Sequence, residues 1–75
     1  MNIIEQVREA KQQFASTMGR EPEEISITKE ALLEIARLEN RTYYPNEVLG
    51  LQAVIWNPTP SELRDNGGIV FRIEG

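Results

Sequence analysis

The chain contains no cysteine and no histidine. Without thiols there are no disulfides, no thiolate metal sites and no thiol nucleophile. Without imidazole it also lacks the side chain that most often acts as general base or transition-metal ligand near neutral pH. Aspartate is nearly missing as well, Asp65 being the only one, so no loop resembles an aspartate-rich calcium site. Long apolar runs are absent: no window approaches the roughly eighteen residues of a membrane-spanning helix. Met1-Asn2-Ile3-Ile4-Glu5 has neither the basic start nor the apolar run of a signal peptide. A soluble, intracellular protein with no membrane partner is therefore expected. Positive charge is in deficit, with eight basic against twelve acidic residues and a net charge of -4. The basic residues are also scattered along the chain. Affinity for nucleic acid comes mostly from neutralising phosphates, so no nucleic-acid partner is expected either. The acidic balance could mimic DNA, but a solubilising surface is the simpler account of it.

Seventy-five residues predict one domain spanning 1–75, because two cores would each fall near the size at which folding alone fails. A chain this short hides roughly 60 to 65% of the surface its unfolded form exposes. Its stability should be about 3 to 5 kcal/mol.

The organising stretch runs from Glu24 to Asn40. Ile25 and Ile27 alternate with Ser26, as in a short half-buried strand, and Thr28 stands where a helix N-cap belongs. Ala31, Leu32, Ile35 and Leu38 then recur at helical spacing, with Lys29, Glu30, Glu34, Arg37 and Glu39 on the other side. Ahead of this segment, Asn2 and Glu5 fit a capping box, and Ile3, Val7, Ala10, Phe14 and Met18 form the apolar stripe of a first helix. Gly19 is placed for a left-handed C-cap, and Pro22 prevents continuation. The second helix is expected to fray near Asn40, since Tyr44 precedes Pro45 and is pushed out of helical geometry.

Leu51, Ala53 and Ile55 share one face of a strand over 51–56, Gln52, Val54 and Trp56 the other, and Asn57-Pro58 ends it. Gly50 just before it marks a bend or a close backbone approach. Ser61 to Arg64 can make one helical turn, and Asp65-Asn66-Gly67-Gly68 supplies the positive-φ residues of a reversal. Ile69, Phe71 and Ile73 alternate with Val70, Arg72 and Glu74 as a last strand over 69–73. The expected fold is α+β in the order α-β-α-β-β: a two-layer domain with two helices on one face of a three-stranded sheet. The long reversal predicts that the 51–56 and 69–73 strands pair antiparallel.

Chemistry has little to work with. Glu30 and Glu34 lie one helical turn apart, but paired carboxylates need a cleft between them, and a solvated helix face is the simpler reading. Asp65-Asn66-Gly67-Gly68 lacks the lysine and the strand-to-helix context of a phosphate-binding loop. No metal, cofactor or catalytic residue is expected. Tyr43 and Tyr44 fall outside any periodic pattern, where they either cover the edge of the core or offer a patch to a partner.

The order of parts carries a likeness. Phe14 to Arg20, FASTMGR, precedes Glu21-Pro22, and ISITKEALLEI comes next. Val48-Leu49-Gly50-Leu51 then opens a strand, followed by a proline-bearing loop and a final short strand. This resembles many small uncharacterised proteins encoded by tailed bacteriophages. It is similar, more weakly, to part of the axial domain of tailed-phage major capsid proteins. Gln52 stands where the capsid pattern often has proline, and residues 61–66 look like an insertion. A long spine helix and a peripheral domain have no room in 75 residues. The likeness thus implies phage or prophage origin rather than shell building.

These readings converge on a non-catalytic phage protein, located in the cytoplasm of the host bacterium, that binds a host factor or a virion component. Tyr43, Tyr44, Trp56, Pro58 and Leu63 are the expected contact residues, because they lie in loops or on the sheet face the helices need not cover. The alternatives are a homo-oligomerising structural module, a homodimer in its simplest form, and a small carboxylate-dependent enzyme.

Overall fold

Across residues 2–75, which the computed structural model describes, the elements run α1 (Ile3–Met18), β1 (Glu24–Ile27), α2 (Lys29–Leu38), β2 (Glu47–Val48), β3 (Leu51–Ile55), α3 (Pro60–Asp65) and β4 (Phe71–Glu74). The fold is a small mixed α/β arrangement with one strand more than the three-strand, two-helix layout expected and with a third helix, α3, where the helical turn over 61–64 was expected. None of the helices described is long and apolar enough to cross a membrane.

The ends of α1 are set as the caps dictate. Asn2 Oδ1 accepts the Glu5 N–H at 2.9 Å, and Gly19 closes the helix at φ 71°. The reciprocal capping box forms elsewhere, at Thr59 and Glu62 of α3, where cap hydroxyl and glutamate each satisfy the other's backbone N–H. Thr28 caps α2 while buried, its hydroxyl accepting from Ala31 N–H at 3.2 Å. That helix does not fray at its far end. Asn40 adopts φ 58°, Arg41 N–H reaches Ala36 O at 2.9 Å, and Asn40 N–H reaches Arg37 O at 3.2 Å. This is a Schellman ending with asparagine in the glycine position.

The sheet order is β2-β3-β1-β4. The expected antiparallel pairing of the 51–56 and 69–73 segments does not occur, because β1 lies between them. It pairs parallel with β3 (Ile25 opposite Ala53, Ile27 opposite Ile55) and antiparallel with β4 (Ile25 opposite Ile73, Ile27 opposite Phe71). Ile25 and Ile27 are fully buried, which makes β1 the natural centre. Parallel neighbours need a long crossover, and α2 with the loop after it provides one. The strand at the C-terminal end starts two residues later than predicted. Ile69 stays outside it and nearly half exposed, while Val70 O accepts Thr28 N–H at 3.0 Å.

β2 escaped prediction because it is only two residues long, joined to β3 by Leu49-Gly50. Both residues have positive φ, 51° and 84°, as a two-residue type I′ hairpin demands. Lys11 on α1 donates from Nζ to Leu49 O at 2.8 Å and ties this turn to the helix layer.

Val7, Ile25, Ile27, Ala31, Leu32, Ile35, Val48, Leu51 and Phe71 make the core. The strand residues among them share one face, so α1 and α2 pack on that face. Met18 and Leu38, both expected in apolar stripes, are instead exposed. Met18 borders an open groove between α1 and β4 rather than the core.

Candidate functional site

The face of the sheet turned away from the helices carries the even-numbered residues of β1, β3 and β4. Register aligns Gln52, Glu24 and Glu74 in one row and Val54, Ser26 and Arg72 in the next. None of these six belongs to the core cluster. Trp56 follows Val54 on the same face, its N–H donating to Ile27 O at 2.8 Å and prolonging the parallel ladder past the end of β3.

Arg72 organises this face. It stands on β4, yet its guanidinium carbon lies 5.0 Å from the centre of the Trp56 ring beyond β3, so its side chain crosses over β1. The contact is a cation–π pair, with the arginine stem lying along apolar surface. It explains two burial values together: Ser26 is only 8% exposed on a face no helix covers, and Trp56 is half-buried. Ser26 donates from Oγ to Glu74 Oε2 at 3.1 Å, and Arg72 approaches Glu74 at 3.9 Å. The result is a small polar network with an indole at its margin.

The five residues singled out from sequence divide into two groups. Tyr43 is 81% and Tyr44 42% exposed, on the loop leading into β2. Buried Pro45 pins that loop, as does Asn46, whose carbonyl accepts Ala53 N–H at 2.8 Å. This holds the loop on the β2 side of the sheet, toward the end where β3 runs out into Trp56. Trp56, Pro58 and Leu63 are half-buried, on the segment leaving β3 and on α3, a helix that buries no residue.

Val54 and Trp56 share the uncovered face, as the alternation of this strand predicts, whereas Ile55, expected on the core side, is exposed as well. β2 ends opposite Gln52 and the loop before it adds only the Ala53 N–H to Asn46 O bond, so beyond Ala53 no strand flanks β3 on that side, and Val54 and Ile55 remain 40% and 39% exposed. Leu33 is also exposed, and its place off the α2 stripe was visible in the periodicity.

The carboxylate pair Glu30 and Glu34 lies apart from this face, on α2. Glu34 is engaged by the Arg37 guanidinium in a short contact on the outside of α2. That hydrogen bond, and then the Glu34 charge, hold the Arg37 pKa above its ordinary value. Among the described residues no group of three or more acidic side chains is placed to hold a metal ion. Comparison with family models, curated proteins and solved structures finds no match for this chain.

Proposed function

We propose that this chain works without catalysis, by binding another protein through the bare sheet face and the loop beside it. One observation carries the reading. The face opposite the helices keeps a tryptophan at its margin next to exposed Val54, with two tyrosines on the adjoining loop. Aromatic side chains that stay accessible beside a rigid strand offer large contact area at low entropic cost, the usual composition of binding hot spots. Tyr43, Tyr44 and Trp56 are the anchors, and Pro58 and Leu63 extend the contact along the segment that follows. Arg72 holds the indole in place before any partner arrives, which lowers the ordering cost of binding.

The likeness to small tailed-phage proteins supplies the setting: a phage or prophage product in the host cytoplasm, acting on a host factor or a virion component. Affinity capture from host lysate, read by mass spectrometry, tests this reading. Trp56→Ala and Tyr44→Ala should each lose the captured protein while retaining the wild-type circular-dichroism spectrum. Unfolding of both variants would instead assign these rings to the stability of the fold and remove the proposal.

A further inference from the structure

A second surface, on the opposite edge of the sheet, is fitted to a different partner. β4 has a neighbour on one side only. Thr28 N–H donates to Val70 O at 3.0 Å and Glu23 N–H to Glu74 O at 3.1 Å, so the even-numbered residues of this strand turn their backbone groups toward β1. By the alternation of an antiparallel ladder, Phe71 and Ile73 turn theirs outward. Asn66 Nδ2 donates to Phe71 O at 3.2 Å and to Ile69 O at 2.7 Å, which closes the upstream end of the edge. The N–H and C=O of Ile73 face no strand.

We propose that β4 pairs with β4 of a second copy, antiparallel, about a two-fold axis through Ile73. Four axes run through residues of β4, and the one through Glu74 sets Glu74 against Glu74 of the second copy, a like-charge pair. One through Phe71 requires the positions that Asn66 occupies. One through Arg72 sets Arg72 directly against Arg72 of the second copy, a like-charge pair that destabilises a ladder. The axis through Ile73 sets Arg72 opposite Glu74 of the second copy, and Glu74 opposite Arg72, on the bare face of the sheet. Ile73 meets its own counterpart and exchanges both backbone hydrogen bonds with it. Within one chain Arg72 stacks on Trp56 and Glu74 accepts from Ser26, with only a long 3.9 Å contact between the two; both side chains are about half exposed, so pairing across the edge draws Arg72 away from the indole.

Sheet edges are commonly guarded by lysine, proline or a bulge. β4 has no lysine, proline or bulge, and the two charges it does carry next to each other on one face, Arg72 and Glu74, match their own reverse. Apolar surface accompanies the edge. A groove of about 630 Å³ runs between α1 and β4, where Ala10, Phe14, Met18, Ile69, Phe71 and Ile73 form the apolar half of a lining that polar side chains complete. Met18 and Ile69 are 57% and 48% exposed there. The added strand brings a second Ile73 to the mouth of this groove and a second α1 alongside the first. That contact makes the interface larger than four paired residues. It is isologous and closes on itself, as a two-fold dimer must.

Sedimentation equilibrium of the full chain over about a hundredfold concentration range tests the pairing. Wild type should pass from monomer to dimer. Arg72→Glu and Glu74→Arg should each weaken association by about tenfold or more, since each makes both cross-strand pairs like-charged. The two variants mixed should form a one-to-one heterodimer, and the double variant carrying both changes should dimerise alone. Circular dichroism of each variant establishes that a monomer is a folded one. Wild type that remains monomeric throughout overturns the proposal, and so does a dimer indifferent to Glu74→Arg. Two folded single variants that fail to associate when mixed also overturn it.

Discussion

Gly50→Ala isolates a backbone cost from every packing effect. Gly50 is the second residue of the β2–β3 turn and sits at φ 84°. A Cβ built there meets only Lys11 Nζ, at 4.0 Å, the mobile end of a long side chain. No clash and no cavity therefore complicate the substitution. An L-residue in the left-handed region costs about 1 to 2 kcal/mol. The stiffer unfolded chain of the alanine variant returns about 0.4 to 1 of that. The net loss should be about 1 kcal/mol, which for a domain of this size lowers Tm by about 4 to 8 °C. Thermal and urea unfolding followed by circular dichroism would measure it. Gly50→Asn is the internal control: asparagine enters the left-handed region more readily, so its loss should be about half as large. The turn must keep its geometry, because Val48 is buried and a one-residue slip of β2 would turn it to solvent. An alanine variant as stable as wild type, or an asparagine variant no better than the alanine, would refute this account of the hairpin.

Three further substitutions probe the rest of the fold. Ile25→Ala empties the centre of β1, a fully buried position flanked by Ala53 and Ile73, and should cost about 2 to 5 kcal/mol, enough to leave the chain largely unfolded at 37 °C by circular dichroism. Thr28→Ala removes a buried cap from a helix that packs on the core and should cost about 1 kcal/mol in urea unfolding. Thr59→Ala removes a cap from α3, which buries nothing, so its effect should be confined to faster amide exchange in that helix, with Tm unchanged.

Local order was legible in the residues themselves. The apolar spacing of Ile3, Val7, Ala10 and Phe14, the caps at Asn2, Thr28 and Gly19, and the alternation around Ser26 each depend on neighbours within a few positions. Helix period and cap chemistry are settled at that range. Even the bare sheet face followed from alternation, since Gln52, Val54 and Trp56 had to share a side once the strand formed. Which strands become neighbours is decided at long range. β3 and β4 were expected to touch, but β1, whose two isoleucines are both fully buried, lies between them. The two-residue β2 has no periodicity to read, and it is held by the burial of Val48 and by the Lys11 bond to Leu49 O. The positions of the rings were settled at the same level. Arg72 can cover Trp56 only because β1 holds β4 two strands away at the right register, and nothing in the spacing of residues 56 and 72 announces it. Chain-local sterics determined the elements of this protein, and competition for burial among distant segments decided their order and which aromatic faces stayed open.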